Sequence, residues 1–234
     1  MIHIFFRHYN TSGREDWRPD WFDYELCFKN FIKTIDGNEN ISLTIIYDGD
    51  DNSNFIFKYG YKVVRISAGS DLSSFYQTLD YIESLKLDHD DIIYLLENDY
   101  LHLDGWVEKV FDFFSKNKNQ YLTLYDHADK YMDGYSDLRS KIIITNSHHF
   151  RTTPSTCGSF LVRNDVLQED LGYHKLLPNL LYNITDVPVD HGKFLILNTL
   201  KNRQIFSALP GLSTHCLNNL LSPNTDWKII SKKS

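Results

Sequence analysis

Asp91-Ile92-Ile93-Tyr94-Leu95-Leu96-Glu97-Asn98-Asp99-Tyr100, continuing as Leu101-His102-Leu103-Asp104-Gly105-Trp106, is the stretch that decides the fold. Residues 92–96 are all apolar, with two β-branched side chains and an aromatic, which predicts a short strand buried on both faces. The strand stops at Glu97-Asn98-Asp99. Two carboxylates one residue apart at the exit of a buried strand are costly unless something positive sits between them. A helix should follow, with Asp104 as its N-cap and Trp106, Val107, Val110, Phe111 and Phe114 on one stripe. Buried strand, acidic pair, then helix is the layout of a ligand site at the carboxyl end of a parallel sheet.

Upstream of this stretch the pattern alternates. Residues 2–6 read as a first strand, and the polar loop after them carries Arg7 and Arg14. Tyr24, Phe28, Phe31 and Ile35 are spaced for a helix, with Pro19 near its first turn and Asp36-Gly37-Asn38 as its stop. Residues 41–47 and 61–66 read as two more strands, separated by a short helical segment at 55–58. The first of them ends in the acidic run Asp48-Gly49-Asp50-Asp51-Asn52. Asp71 is placed to cap a helix whose Leu72, Phe75, Tyr76, Leu79 and Ile82 share a face. The βαβ(α)βαβα order predicts a parallel sheet with right-handed crossovers and helices on both faces.

Downstream the rhythm is lost. Residues 121–125 and 141–145 look like strands, and 126–139 are polar and aromatic with no period. Residues 147–158 form a long irregular stretch, of the kind more often functional than idle. A short strand at 159–162 leads into a helix starting at Asn164-Asp165. Asp190 is placed to cap a helix running to about residue 202. A late strand at 204–209, a Pro210-Gly211 turn and a last segment at 212–216 follow.

Composition narrows the function classes. The chain has 234 residues, 42% hydrophobic and 24% charged, enough to bury a sizeable core unaided. The formal net charge of −7 implies no general attraction to nucleic acid or an anionic membrane, so a polyanionic substrate needs a local counter-charge. Cys27, Cys157 and Cys216 are far apart and form no CxxC pair, which argues against a disulfide scaffold or structural zinc and for a reducing compartment. The apolar start, Met1 to Arg7, is too short for a signal peptide, and no run approaches a transmembrane span, so the expected location is cytoplasmic. No GxGxxG, GxxxxGK[ST] or GxSxG occurs, which removes the usual dinucleotide, P-loop and α/β-hydrolase readings.

The acid-x-acid triplet at the fourth strand, with Asp104-Gly105-Trp106 close behind, resembles glycosyltransferases of the GT-A fold, family-2-like members of the nucleotide-diphospho-sugar transferase superfamily. Asp48 to Asn52 stands where such enzymes carry an acidic turn that touches the nucleobase. Thr153 to Phe160 is similar to their small-residue acceptor loop, and Asp190-His191-Gly192 sits where they place a catalytic acid. His215 matches a late histidine that completes the metal site in several such families. The chain departs from the pattern in starting the triplet with Glu97 and in reading Asp190-His191 at the catalytic position.

The resemblance implies an α/β three-layer sandwich with a mostly parallel central sheet. It implies one domain over 1–234, with a nucleotide-binding half at 1–120 and an acceptor-binding half at 121–234. It further implies metal-dependent, inverting transfer of a sugar from a nucleotide-diphosphate sugar to a glycan, lipid-linked or protein hydroxyl, as in polysaccharide biosynthesis. Arg7, Asp48, Glu97 and Asp99 would contact the donor. Asp99, His215 and Glu97 would hold Mn²⁺ or Mg²⁺, which offsets charge on the leaving diphosphate. Asp190 is the expected base, kept ionised by its helix N-terminus, with Asp186 as the second candidate. His148, His149 and Arg151 are further candidates for acceptor or phosphate contacts. Two competing functions remain. A nucleotidyltransferase usually carries a Gly-rich basic loop after the first strand, where this chain has only Gly13 with Arg7 and Arg14. A non-catalytic sugar- or nucleotide-binding protein would account for Glu97 in place of Asp.

Overall fold

The computed structural model describes residues 1–9, 16–176, 178–185 and 189–233, with the side chains of Asn179 and Ile184 also left aside. Gly13, Arg14 and Asp186 therefore lie outside the described residues.

The opening stretch forms the strand it predicts. Counting from the N-terminus, β1 is Ile2–Tyr9, β2 Ile41–Asp48, β3 Lys62–Ile66 and β4 Ile92–Glu97. These pair in parallel in the order β3-β2-β1-β4. Every residue of 92–96 is buried, as a strand covered on both faces requires. β1 runs past residue 6, so Arg7 belongs to the strand and pairs in register with Glu97.

Between these strands lie α1, Tyr24–Ile35, and α2, Asp71–Ser84, with a 3₁₀ turn at Phe55–Tyr59. Asp23 caps α1, its carboxylate accepting from Leu26 N at 2.8 Å, which leaves Pro19 outside the helix. Ser70 caps α2 in place of Asp71, because its hydroxyl reaches Ser73 N while Asp71 turns to Arg7. After β4 comes an unpredicted short strand, β5, Tyr100–His102, and then α3, Trp106–Lys116. The residue before α3 is Gly105 at φ 75°, with no side-chain cap, so Asp104 does not cap it. Phe113 replaces Phe111 among the fully buried residues of its stripe.

The second half continues the same sheet. β6 is Tyr121–Thr123, β7 Ile142–Ile144, β8 His149–Thr153, β9 Phe160–Arg163 and β10 Ile205–Leu209. β8 corrects the irregular reading of 147–158: it pairs with β10 and β7, backbone contacts that no local pattern signals. The full order is β3-β2-β1-β4-β9-β6-β10-β8-β7, and only β9 and β8 run against the others. Helices α4, Asn164–His174, α5, Pro178–Thr185, and α6, Val189–Lys201, lie between β9 and β10 in the chain. Asp190 is the second residue of α6 and so sits inside its first turn.

Two apolar layers sandwich the sheet. On one face Phe28, Phe31 and Ile35 of α1 and Trp106, Val110 and Phe113 of α3 pack on Ile4, Phe6, Tyr94 and Leu96. On the other, Phe75 and Leu79 of α2, Leu167 of α4 and Phe194 of α6 pack on Phe5, Ile46, Ile93 and Leu95. The result is an α/β three-layer sandwich with a mostly parallel central sheet. A separate two-stranded sheet pairs β5 with β11, Ser213–His215, and α7, Trp227–Ser231, closes beneath it. No helix among the described residues is long and apolar enough to cross a membrane.

Candidate functional site

The chain leaves β1 toward β2 and β3 on one side, and returns as β4 on the other. A crevice opens at such a reversal, beyond the carboxyl ends of β1 and β4. A cleft of about 840 Å³ opens there, lined by Arg7, Asp48, Glu97, Asp99, Asp190 and His215 among others. That volume is in the range of sites that enclose a cofactor-sized ligand.

Cations meet the acidic pair as its burial demands. Arg7 Nη2 donates to Glu97 Oε1 at 2.7 Å and Nη1 to Asp71 Oδ1 at 2.9 Å. Arg18 Nη2 donates to Asp99 Oδ2 at 2.7 Å, and His215 Nε2 is 2.9 Å from the same oxygen. The small sheet explains this approach across the chain. Pairing of β11 with β5 sets His215 opposite Tyr100, and the two rings stack 5.0 Å apart. Asn98 is anchored by donating to His8 Nδ1 at 2.9 Å, while His8 Nε2 lies 3.1 Å from Asn54 Oδ1.

These environments push the two carboxyls apart. Burial drives Glu97 up to about 8, with Arg7 pulling the other way. Burial also opposes ionisation of Asp99, but His215 and Arg18 outweigh it and hold the carboxyl at about 2. His215 answers in kind: burial alone would lower it, yet Asp99 raises it well above its ordinary value. The pair is therefore one hydrogen-bonded, mostly ionised unit.

The other expected residues fall in different places. Both oxygens of Asp48 accept backbone N–H groups, from Ala68 at 2.9 Å and Gly69 at 3.1 Å, so it also shapes the turn before α2. Asp190 lines the cleft opposite, half of its side chain open to solvent, with Lys193 Nζ 3.8 Å away. The crowded cleft wall raises its pKa, the reverse of the shift expected from a helix N-terminus, with Lys193 opposing. His148 bonds to the Pro210 carbonyl and Arg151 to buried Asp126, so neither faces the cleft. Sequence reasoning missed Arg18, which sits in a loop with no periodic signal, and read Cys157 only as part of the Thr153 to Phe160 loop, without its thiol's approach to 3.0 Å from His127 Nε2.

Among the described residues no group of three or more His, Cys, Asp or Glu is arranged so that it could hold a metal ion, the expected set of Asp99, His215 and Glu97 included. Glu97 faces Arg7, which leaves Asp99 and His215 as the close pair. Two observations fit a cation bound by that pair with ligands from a substrate. Asp99 Oδ1 is buried with no hydrogen-bond partner. Even with Glu97 mostly protonated at neutral pH, four described carboxylates line the cleft against Arg7, Arg18 and His215, a surplus of negative charge that a diphosphate would worsen.

No protein-family model matches the chain, and no curated protein matches it. Solved structures do. GalNAc-T7 with UDP, GalNAc and Mn²⁺ aligns at TM-score 0.57 and 11% identity, over 93% of this chain. The chain spans 44% of that one. The synthetase of CMP:2-keto-3-deoxy-manno-octonic acid, complexed with CTP, aligns at TM-score 0.54 and 13% identity, over 90% of this chain and 92% of its own. This is the GT-A fold. A third GT-A match is S. aureus TarS, at TM-score 0.51 and 11% identity, over 88% of this chain and 34% of that one. Alignments at such identities show the fold alone, and the chemistry has to be argued from the cleft itself.

Proposed function

We propose that the cleft binds a nucleotide-diphosphate sugar and that the protein transfers the sugar, with inversion, to a hydroxyl of a glycan, lipid-linked or protein acceptor. The observation that carries this reading is Asp99: at the sheet's reversal point, ionised, bound through one oxygen by Arg18 and His215, its other oxygen buried and unpartnered. The ligands in the neighbours, UDP with GalNAc and Mn²⁺ in one and CTP in another, are of the class this cleft suits in size, and in charge once a divalent cation is bound.

Asp99 and His215 would hold a divalent cation, Mn²⁺ or Mg²⁺, after His215 gives up its proton. Such a cation neutralises charge on a departing diphosphate. Arg7 fixes Glu97, and in this reading the Glu97 carboxyl takes ribose hydroxyls. Asp190 is the base. It takes the proton of the acceptor hydroxyl as that oxygen bonds to the anomeric carbon and the bond to the diphosphate breaks. A carboxyl whose pKa burial raises above the ordinary aspartate value is a stronger proton acceptor, which suits it to this step.

Nucleotidyl transfer is a second reading, favoured by the near-complete mutual coverage with the CMP-sugar synthetase. The products separate the two: a nucleoside diphosphate for glycosyl transfer, inorganic diphosphate for nucleotidyl transfer. The test is a panel of nucleotide sugars with Mn²⁺, comparing wild type with Asp190→Asn. We expect nucleoside diphosphate release that falls by about 10²-fold in the variant. No nucleoside diphosphate release by the wild type would remove the glycosyl-transfer reading, and unchanged turnover in the variant would remove Asp190 as the base.

A further inference from the structure

Behind the main cleft lies a smaller cavity of about 210 Å³. It shares Arg7, Asp71 and Asp190 with the cleft and extends inward between Phe75, Phe160 and Phe194. Its size is below that of a whole cofactor site, so it is a side chamber for one part of a ligand.

Two cations are buried in its wall with capacity left over. Lys193 has 6% of its side chain exposed, and its Nζ stands 4.4 Å over the Phe75 ring. Its nearest charge partner is Asp190, at 3.8 Å, beyond a normal hydrogen bond. The Arg7 guanidinium lies over the same ring, 5.5 Å from its centre, and its Nε is buried without a hydrogen-bond partner. Like charges over one phenyl ring repel, and burial with Arg7 nearby depresses the Lys193 ammonium, which Asp190 opposes. The acids do not cancel this. Glu97 and Asp71 both accept from Arg7, but burial keeps Glu97 mostly protonated and Asp71 has 80% of its side chain exposed, as Asp190 has half. Acid lies at the rim, and unsatisfied positive donors lie inside.

We infer that this chamber is a subsite for the carboxylate of an acidic sugar, with Lys193 Nζ and Arg7 Nε as its donors and Phe75, Phe160 and Phe194 packed on the sugar ring. An anion between the two cations relieves their repulsion and satisfies both donors. The aromatic walls offer apolar surface to the C–H faces of the ring. Asp190, at the junction of chamber and cleft, places that ring beside the proposed base. The inference deepens the proposed function by giving the site a substrate class, a uronic-acid-like sugar.

The test uses four probes on the full chain, followed by calorimetry or ligand-observed NMR: D-glucuronate, D-glucose, inorganic sulfate and UDP with Mn²⁺. Glucuronate should bind at least tenfold tighter than glucose. Lys193→Met should remove that preference, and Lys193→Arg should keep it, with the melting temperature near wild type. If Lys193→Met does not fold, Lys193→Gln carries the same comparison. Equal binding of glucose and glucuronate, or a preference that survives loss of the lysine charge, overturns the subsite. Sulfate competing as well as glucuronate refutes recognition of the sugar ring. Glucuronate failing while UDP binds refutes the subsite alone. A Lys193-dependent glucuronate signal without UDP binding sustains it and removes the nucleotide reading.

Discussion

Two sets of buried charge pairs, one in each half of the sheet, show how the same side chains serve different ends. In the first half, Arg7–Glu97 and Arg18–Asp99 stand at strand ends and face an open cleft. In the second half the pairs close on themselves. Arg151 donates twice to Asp126 Oδ1, Tyr131 donates to Oδ2, and Asp126 has no exposed side chain. Tyr121 donates to Asp170 Oδ2, which leaves its oxygen to accept from His174 Nε2, and Arg203 binds the same carboxylate. The sealed sets find their charge partners within the fold, although Asp170 Oδ1 and His174 Nδ1 are buried without a hydrogen bond. The cleft set keeps unused capacity, in Asp99 Oδ1 and Arg7 Nε. Both sets hold a buried atom without a partner, so what separates a site from a strut here is access: the first set lines an open cleft, and the carboxylates of the second have no exposed side chain.

The largest expected effect tests the sealed half. Arg151→Met leaves a fully buried carboxylate uncompensated and should cost about 3–5 kcal/mol by chemical denaturation. The folded fraction should bind nucleotide as wild type does. A cost below 1 kcal/mol would show that solvent reaches Asp126.

A smaller effect comes from histidines, one in each half. Burial lowers both His102 and His174 to about 3, so the folded protein keeps them neutral. The unfolded chain protonates them near their ordinary value of about 6.5. Stability should therefore fall as pH drops below about 6.5, by on the order of 1 kcal/mol per pH unit for each. His215 acts in the opposite window. Its raised value adds stability that is full below about pH 6.5 and is lost as pH rises through its folded value. Melting curves in His102→Gln and His174→Gln should show a shallower acid slope. An unchanged slope would assign the acid loss to carboxylates.

The smallest effect sharpens the boundary between the halves. Gly158 has φ +71°, and a Cβ there would come 2.5 Å from Glu97 Oε1. Gly158→Ala should cost about 1–2 kcal/mol from the left-handed backbone alone. It should also weaken donor binding by displacing Glu97, measured by titration. Donor affinity equal to wild type would mean that Glu97 does not touch the ligand.

The first half was legible because its order is local. Ile92 to Leu96 carry a buried strand in five letters, and Phe28, Phe31 and Ile35 mark a helical face. The acidic pair also announced its need for cations, and Arg7 follows directly from the register of β1 with β4. Arg18 gave no such sign, because its value lies in reaching Asp99 across 81 positions of chain. β5 was hidden for a related reason: three residues have no period, and only pairing with β11 makes them a strand. β8 likewise reads as loop until β10 lies beside it. The caps failed by one residue each, since Ser70 outcompetes Asp71 and Gly105 takes the left-handed turn before α3.

The central claim is that Asp99 organises a nucleotide-sugar site. Its most direct test is a titration of UDP, GDP, ADP and CDP into wild type and Asp99→Asn, each with and without Mn²⁺. The account predicts that at least one diphosphate binds wild type with Mn²⁺, and that Asp99→Asn loses the Mn²⁺-dependent part while remaining folded at the titration temperature, even though leaving Arg18 without its buried partner lowers its melting temperature. Binding of none of the four, or Mn²⁺-dependent binding that persists in Asp99→Asn, would contradict it.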